Sequence, residues 1–232
     1  MTHSVLVTGA GRGIGLEFIR QYLAAGWRVH ACARQPERSQ ALRELAAAHR
    51  DRLSVHVLDV ANAAHVANLK ATLGKMPLDL LINNAGLIGG EHQSFGDVDE
   101  ATWIETLRVN TFAPLRLMEA LADNVAASEQ RRIANITSKM GSIDDNGSGG
   151  YYIYRTSKAA LNMLTKSAAI DLAPRGITCV VLHPGWVRTE MGGPGAEITP
   201  EESVTNLRAI IDRLTPAQSG WFFDVDGSVI PW

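Results

Sequence analysis

Short apolar runs alternate with longer segments of helical periodicity along almost the whole of this chain. Such alternation predicts parallel strands joined by crossover helices. Several of the runs are almost entirely apolar, which is typical of strands covered on both faces. The predicted strands are 5–8, 28–33, 53–58, 78–83, 132–137, 177–182 and 221–225. The predicted helices are 14–25, 36–49, 63–73, 102–127, 154–172 and 200–214. We therefore expect an α/β fold, a doubly wound parallel sheet of about seven strands with helices on both faces.

The size and charge of the chain narrow the classes of partner. With 232 residues, 46% of them hydrophobic, the chain can form one sizeable domain, and we expect a single domain over residues 1–232. A net charge of −2 provides no electrostatic footprint for nucleic acid or an anionic membrane. Cys32 and Cys179 lie in apolar runs, as buried reduced thiols do. Because no leader or membrane-length apolar run is present, we expect a soluble, cytoplasmic protein.

A glycine-rich turn follows the first predicted strand. The strand runs into Thr8-Gly9-Ala10-Gly11-Arg12-Gly13-Ile14-Gly15 and then into a helix. Glycines permit a tight turn and a close approach to a pyrophosphate, and the N-terminus of the helix offers unpaired N–H groups. A turn that binds nothing is the alternative. The strand before the glycines and the helix after them favour a dinucleotide site.

The end of the second strand indicates which dinucleotide. An acid at this position often holds the 2′-hydroxyl of NAD, whereas an Arg accommodates the 2′-phosphate of NADP. Here the strand ends in Arg34, with no acid before Glu37, and Arg12 in the glycine turn adds a second positive charge. We therefore expect NADP (NADPH), with NAD less favoured and no resident metal ion. The alternative is that both arginines are solvated surface charges.

Polar and small residues follow the next two predicted strands. Asp59 and Val60 come after the third strand, and the fourth ends in Asn83-Asn84-Ala85-Gly86. Such residues can hydrogen-bond a base or a ribose, although Asn-Asn-Ala-Gly can equally shape a turn. Farther on, Asn110 falls inside the predicted helix 102–127. A buried Asn there needs partners and tends to disrupt regular helical bonding.

Tyr154 and Lys158 lie one turn apart at the start of the predicted helix 154–172. Residues four apart share one helix face, so the two side chains are expected to be neighbours. A cation within about 4 to 6 Å lowers the pKa of a phenol by roughly 1 to 3 units, which would make Tyr154 a proton donor near neutral pH. An ordinary surface pair is the alternative. Tyr151 and Tyr152 have no Lys one turn on.

Ser138 stands at the carboxyl end of the fifth predicted strand, sixteen residues before Tyr154. Its hydroxyl could donate to the same carbonyl oxygen that receives the proton of Tyr154. Thr137 and Ser142 carry rival hydroxyls, and the spacing leaves them open.

In this order and at these intervals, the motifs resemble those of the short-chain dehydrogenase/reductase family. They are Thr8-Gly-x-x-x-Gly13-Ile14-Gly15, Asn83-Asn84-Ala85-Gly86, Asn110, Ser138, Tyr154-x-x-x-Lys158 and Pro184-Gly185. The segments 150–162, 185–193 and 223–232 are similar to those of the C-factor and sniffer-like carbonyl reductase branch. The resemblance implies a Rossmann-like fold and an NADP-dependent oxidoreductase that interconverts a carbonyl compound and an alcohol.

The resemblance also implies roles for individual residues. Tyr154 would be the general acid and base, and Lys158 would hold the nicotinamide ribose and depress the pKa of Tyr154. Ser138 would orient the substrate oxygen, and Asn110 would support a water relay to Lys158. Asp59 and Val60 would contact the adenine, Asn83 a ribose, and Val187 and Thr189 the nicotinamide amide. All the implied cofactor contacts are Gly9, Arg12, Gly13, Ile14, Gly15, Arg34, Asp59, Val60, Asn83, Ala85, Gly86, Tyr154, Lys158, Pro184, Gly185, Val187 and Thr189.

Other implications of the resemblance concern specificity and partners. A short region around 189–206 would shape the pocket for a small-molecule carbonyl or alcohol substrate, and the family suggests a homodimer or homotetramer joined through the two long helices. The interval between Ser138 and Tyr154 is a few residues longer than is usual in the family. The alternative function is a nucleotide-binding signalling or regulatory protein of the C-factor type, in which catalysis is incidental.

Overall fold

A parallel sheet forms the centre of the computed structural model, which describes residues 2–232. Within these residues the strands are β1 (Ser4–Thr8), β2 (Arg28–Ala33), β3 (Leu53–Val57), β4 (Leu80–Asn83), β5 (Gln93–Ser94), β6 (Asp97–Val98), β7 (Arg132–Ile136), β8 (Thr178–Leu182) and β9 (Phe222–Phe223). Seven of them build one sheet in the order β3-β2-β1-β4-β7-β8-β9, with every neighbouring pair parallel. The strands β5 and β6 form a separate antiparallel hairpin.

Helices cover both faces of the sheet. They are α1 (Gly13–Ala24), α2 (Gln40–Ala48), α3 (Ala63–Leu73), α4 (Glu100–Leu107), α5 (Ala113–Ala126), α6 (Tyr152–Leu172) and α7 (Pro200–Asp212). One hydrophobic core packs α1, α2 and α7 against the sheet, and the other packs α3, α5 and α6 against the opposite face. The structure thus confirms the predicted doubly wound α/β fold. Both cysteines are buried and free, as expected.

The predicted helix 102–127 is divided in the structure. α4 ends at Leu107, the residues Arg108–Phe112 form one π-helical turn, and α5 follows. Asn110 lies in the middle of that turn, and its side chain hydrogen-bonds the main chain of Leu87 outside the helix. A buried Asn therefore interrupts the regular helix here.

The remaining differences from the sequence prediction are local. The segment predicted as one helix from 36 begins with a 3₁₀ turn, and α2 starts only after Ser39, whose hydroxyl accepts from the N–H of Leu42 and caps the helix. The hairpin of β5 and β6 was not predicted, because strands of two residues carry no periodic signal. No helix within residues 2–232 is long and apolar enough to cross a membrane.

The strand order reverses between β1 and β4. In open parallel sheets, ligands bind in the crevice outside the carboxyl ends of the strands at such a switch point. The glycine-rich turn follows β1 directly, and Asn-Asn-Ala-Gly begins at the last residue of β4. The topology therefore brings these two motifs together.

Candidate active site

The glycine-rich turn fills the floor of the crevice. Gly9 has φ of +67°, in the left-handed region that favours glycine, and a Cβ added there would lie 2.9 Å from Cα of Ala85. A Cβ on Gly15 would overlap the carbonyl oxygen of Gly9 and lie 2.6 Å from Nδ2 of Asn84. The two glycines thus permit a main-chain approach that any other residue would block.

The first turn of α1 is open toward the crevice. Arg12 is the N-cap residue, and no side chain caps the helix. The first N–H groups of a helix have no partners inside it and, with the helix dipole, favour an anion. The turn therefore fits the pyrophosphate of a dinucleotide, with Gly13, Ile14 and Gly15 contributing the N–H groups.

Side-chain hydrogen bonds clamp the ends of β1 and β4 to each other. The hydroxyl of Thr8 accepts from the N–H groups of Asn84 (3.0 Å) and Ala85 (3.1 Å). In return, Nδ2 of Asn84 donates to the carbonyl of Thr8 (2.9 Å). Ala85 and Gly86 are thereby held beside the glycine-rich turn, where the sequence placed them as cofactor contacts.

Asn83 is the last residue of β4, and its side chain is engaged within the sheet. Its side chain is buried in the sheet, and Nδ2 donates to Oδ1 of Asn135 on β7 (2.7 Å). Nδ2 of Asn135 donates in turn to the hydroxyl of Thr165 on α6 (2.8 Å). The Asn83 side chain therefore ties β4 to β7, so the ribose contact expected from the sequence would come from the main chain of Asn83.

The end of β2 lies against the glycine-rich turn. A Cβ on Gly11 would lie 3.7 Å from Cβ of Ala33, and Arg34 follows as an exposed residue. Arg12 is also exposed, but its guanidinium pairs with the carboxylate of Glu190 instead of lying free. The structure thus places both arginines at the rim of the crevice and adds an acidic partner that the sequence did not indicate.

Asp59 and Val60 follow β3 at the same edge of the sheet. The carboxylate of Asp59 accepts from the N–H of Ala61 (3.0 Å), and the main-chain N–H of Asp59 donates to Nδ1 of His65 (3.1 Å). The Val60 side chain is buried in a hydrophobic core. An adenine contact from Val60 is therefore available only through its main chain.

Tyr154 is the buried tyrosine of the three near the start of α6. Its exposed fraction is 8%, against 52% for Tyr151 and 38% for Tyr152. Nζ of Lys158 lies 5.7 Å from the centroid of the Tyr154 ring and donates to the carbonyl of Ile136 (2.9 Å). The two side chains are therefore neighbours, as expected from their spacing.

The pKa values of this pair are governed by burial. Burial raises the pKa of Tyr154 to about 12, and the hydroxyl of Ser138 offsets part of that rise. Burial also lowers the pKa of Lys158 to about 8. The spacing predicted that Lys158 lowers the pKa of Tyr154, but in the structure that pKa is raised, with burial of the phenol as the largest cause.

The hydroxyl beside Tyr154 is that of Ser138. Its contact with Tyr154 is the one that lowers the pKa of the phenol, and its oxygen also accepts from the N–H of Met140 (3.2 Å). The rival hydroxyls are occupied elsewhere: Thr137 donates to Oδ1 of Asn162 (2.6 Å), and Ser142 donates to the carbonyl of Pro231 (2.6 Å). The geometry favours Ser138.

Asn110 and Gly86 lie next to Lys158. A Cβ on Gly86 would lie 3.3 Å from Oδ1 of Asn110 and 3.6 Å from Nζ of Lys158. Nδ2 of Asn110 donates to the carbonyl of Leu87 (2.8 Å) and to the hydroxyl of Ser157 (2.9 Å). The side chain of Asn110 therefore links the segment after β4 to α6. The relay from Asn110 to Lys158 stays a prediction.

The segment after β8 reaches back over the glycine-rich turn. A Cβ on Gly13 would lie 3.2 Å from Cγ2 of Thr189. The hydroxyl of Thr189 accepts from the N–H of Gly192 (3.2 Å), and Val187 bridges to Ile198, so the loop is closed on itself. Pro184 and Gly185, which precede this loop, follow β8 at its carboxyl end.

Two residues that support the site were not identified from the sequence. Asn162 on α6 accepts from Thr137 and donates to the carbonyl of Gly141 (3.1 Å), which fixes the turn after Ser138. Gln93 on β5 accepts from the N–H of Tyr154 (3.1 Å). Asn162 carried a weak signal, as a polar residue on a mostly apolar helix, whereas Gln93 lies in a polar loop without any motif.

Residues 3–197 match the family model described as short chain dehydrogenase. The C-signal protein of Myxococcus xanthus is 47% identical over 156 residues, which cover 67% of this chain and 93% of that protein.

Solved structures match over the full chain. The NADPH-bound carbonyl reductase from chicken fatty liver is 37% identical, with a TM-score of 0.91, and the match covers 100% of this chain and 99% of that one. The carbonyl reductase Sniffer of Drosophila melanogaster is 32% identical, also with a TM-score of 0.91, and the match covers 100% of both chains.

Proposed function

The chain belongs to the short-chain dehydrogenase/reductase family and is an oxidoreductase of that type, and from this premise we propose that it uses NADP(H) to interconvert a carbonyl compound and an alcohol, with Tyr154 as general acid and base. The observation that carries the proposal is the meeting of Tyr154, Ser138 and Lys158 beside the glycine-rich crevice. A buried phenol, a hydroxyl in contact with it and a buried ammonium form the donor set that carbonyl reduction needs.

The proposed division of labour follows from the positions of these groups. NADPH supplies the hydride when bound. The phenol of Tyr154 delivers the proton to the substrate oxygen, while the hydroxyl of Ser138 hydrogen-bonds the same oxygen and orients it. Lys158 places a positive charge beside the Tyr154 ring, and its Nζ lies next to Gly86, where we propose that it holds the nicotinamide ribose.

The protonation state of Tyr154 suits reduction. With its pKa raised to about 12, the phenol is fully protonated at neutral pH and so can act as a donor. In the opposite direction the phenolate must form first, and because the pKa of Tyr154 is about 12, its fraction rises with pH. The charge of Lys158 favours the phenolate only below the Lys158 pKa of about 8. We therefore expect reduction to need no prior deprotonation, whereas alcohol oxidation should gain from alkaline pH.

The preference for NADP(H) rests on the two arginines at the rim. Arg34 follows β2 where an acid would hold the 2′-hydroxyl of NAD, and Arg12 lies across the turn. Glu190 pairs with Arg12, so a 2′-phosphate would have to compete with this carboxylate or draw mainly on Arg34. The NADPH complex of the chicken carbonyl reductase supports the same choice.

We also assign substrate selection to the region 189–206 within one domain that spans residues 1–232.

The experiment is an absorbance assay of the purified protein with NADPH and a broad panel of aldehydes and ketones. We expect oxidation of NADPH that depends on the carbonyl compound. The same assay with NADH should give markedly lower kcat/KM. Failure to oxidise either cofactor with any member of the panel would contradict the proposal.

A regulatory function is the second candidate, because the sequence is 47% identical to the C-signal protein over two thirds of the chain. In that case the fold would bind NADPH and turnover would be incidental. Tight binding of NADPH by calorimetry, together with no turnover across the panel, would favour it over the enzyme.

A homodimer or homotetramer also remains a proposal. Met163 and Ile170, two turns apart on one face of α6, are exposed, as are Phe112 and Leu115 near the start of α5. An apolar face of this kind on the two long helices suits a second copy of the chain. Light scattering of the purified protein and of Ile170→Glu would test it: wild type should be an oligomer that the charge weakens, and a monomeric wild type would contradict it.

A further inference from the structure

We propose that Gln93 is a positioning residue for Tyr154: it caps the first turn of α6 from the hairpin and so fixes the main chain that carries the proton donor. This inference rests on the proposed function, because Tyr154 acquires its importance there. It concerns a residue that belongs to none of the sequence motifs.

The start of α6 lacks a cap of its own. The N-cap residue, Tyr151, has φ of +49° and ψ of +40°, in the left-handed region, and its side chain makes no capping hydrogen bond. The first N–H groups of a helix have no partner within the helix, and a buried N–H without an acceptor costs free energy. Tyr154, the third residue of α6, is one of these. Its N–H therefore needs an acceptor from another part of the chain.

Gln93 supplies that acceptor. Its Oε1 lies 3.1 Å from the main-chain nitrogen of Tyr154, although the two residues are 61 positions apart in the sequence. Gln93 is only 4% exposed, so water does not compete for this hydrogen bond. A buried bond between remote segments constrains both of them.

The other half of the amide fixes its orientation. Nε2 of Gln93 donates to the carbonyls of Ile88 (3.1 Å) and Gly90 (2.7 Å). A flipped amide would place Oε1 against two acceptors and Nε2 against a donor, so only the observed orientation satisfies all three partners. Gln93 thus connects the loop 88–90 to the catalytic helix through one rigid group.

The loop 88–90 is itself pressed against the start of α6. Gly89 has φ of +90°, and a Cβ added there would lie 2.5 Å from Cγ2 of Ile153. On the other side of Tyr154, its carbonyl accepts from the hydroxyl of Ser157 (2.8 Å), which in turn accepts from Asn110. The N–H of Tyr154 is therefore held directly by the 87–93 segment, and its carbonyl is linked to Leu87 of that segment through Ser157 and Asn110.

The chain provides a matched control for this amide. Asn124 on α5 has an exposed fraction of 2%, and its Nδ2 donates to the carbonyls of Gly74 (3.0 Å) and Met76 (2.8 Å), as Nε2 of Gln93 does to its two carbonyls. Its Oδ1 accepts from Nζ of Lys70 on α3 (2.7 Å), and the loop after α3 precedes β4, at the end of the strands opposite to the active site. Removing it should cost comparable stability without touching Tyr154.

The test compares Gln93→Met, which keeps the shape and deletes the hydrogen bonds, with Asn124→Leu and the wild type. In Gln93→Met we expect amide hydrogen exchange at Tyr154 to speed up by about tenfold and kcat to fall by about tenfold, with the dissociation constant of NADPH unchanged within about threefold. Asn124→Leu should lose thermal stability but keep both the slow exchange at Tyr154 and kcat.

A conservative variant tests rescue. Glu at position 93 keeps an acceptor within reach of the Tyr154 N–H, and burial favours its protonated form, which also donates to one carbonyl. Gln93→Glu should therefore recover most of the exchange protection and most of kcat. Equal exchange rates at Tyr154 in Gln93→Met and the wild type, or a loss of kcat in Asn124→Leu as large as in Gln93→Met, would overturn the proposal.

The exchange measurement separates this proposal from the proposed function. If the wild type reduces no carbonyl compound, the proposed function fails. Amide hydrogen exchange at Tyr154 still reports in that case whether Gln93 caps α6. If the wild type is active and the exchange and kcat of Gln93→Met match it, only the role of Gln93 fails.

Discussion

The cofactor side and the catalytic side of the crevice are built by different means. On the cofactor side the main chain itself forms the surface of the crevice. Gly9 and Gly15 allow the turn to approach the neighbouring main chain so closely that a Cβ at either position would collide with it. On the catalytic side, buried amides and hydroxyls such as Asn110, Asn162 and Gln93 connect α6 to the loops around it. Steric changes should therefore break the first side, and loss of hydrogen bonds should loosen the second.

The largest effect is expected from a steric change on the cofactor side. In Gly15→Val the new Cβ would overlap the carbonyl oxygen of Gly9, so the turn must move away from its present path. We expect the dissociation constant of NADPH to rise at least about a hundredfold, as for the loss of several charge-assisted hydrogen bonds. Calorimetric titration measures this. Binding within about threefold of wild type would show that the close approach is not needed.

The next effect concerns charge at the rim of the same side. Arg34→Asp replaces a cation by an anion beside the expected 2′-phosphate, so NADPH should bind roughly 10- to 100-fold more weakly while NADH changes little. Titration of both cofactors measures the ratio. If NADPH and NADH bind this variant in the wild-type ratio, Arg34 does not select the phosphate.

A smaller effect is expected from a hydrogen-bond deletion on the catalytic side. Asn162→Leu leaves the hydroxyl of Thr137 and the carbonyl of Gly141 without their partner, at about 1–3 kcal/mol for each buried group. We expect Tm to fall by roughly 4–24 °C and kcat by about tenfold, because the turn after Ser138 loosens. NADPH affinity should stay near wild type. A loss of NADPH affinity instead would erase the distinction between the two sides.

The smallest effect is a pH dependence of stability on the cofactor side. Burial in β2, with His56 beside it, lowers the pKa of His30 to about 4 from the ordinary 6.5. Between pH 6.5 and 4, His30 therefore binds a proton in the unfolded chain but not in the folded chain. The contribution of neutral His30 to the free energy of unfolding is thus fully present above pH 6.5 and is lost as the pH falls toward 4. Between pH 7 and 5 we expect Tm to fall by roughly 4–8 °C.

The variant His30→Gln identifies the source of that change. It removes the titrating group but keeps a polar side chain, so its Tm should fall less over the same interval of pH. An identical fall in wild type and variant would assign the acid sensitivity to other groups, of which His183, with its pKa also lowered to about 4 by burial, is one.

The two sides also differ in how far the sequence predicts them. The cofactor side depends on local patterns, since a glycine at a fixed position after a strand has the same meaning wherever it occurs. The doubly wound parallel sheet and the place of the glycine-rich turn between the first strand and the first helix were accordingly predicted, whereas the strand order was not. What was missed there, the pairing of Arg12 with Glu190, joins residues 178 positions apart.

The catalytic side depends on contacts between remote segments, and these leave little trace in sequence. Asn110 was recognised as unusual inside a helix, but the π-helical turn that frees its side chain for Leu87 was not foreseen. The pKa of Tyr154 was expected to fall because Lys158 is one turn away. It is raised instead by desolvation, which depends on how deeply the phenol is buried, and the spacing does not give that depth.

One comparison of variants tests the central claim most directly: turnover of a carbonyl compound by Tyr154→Phe and Tyr151→Phe, each with NADPH affinity measured in parallel. Tyr154→Phe keeps the ring and removes the proton, so kcat should fall by at least about a hundredfold while NADPH binds nearly as in wild type. Tyr151→Phe, at an exposed position, should remain within about threefold of the wild-type rate. Wild-type turnover by Tyr154→Phe together with collapse in Tyr151→Phe would contradict the account.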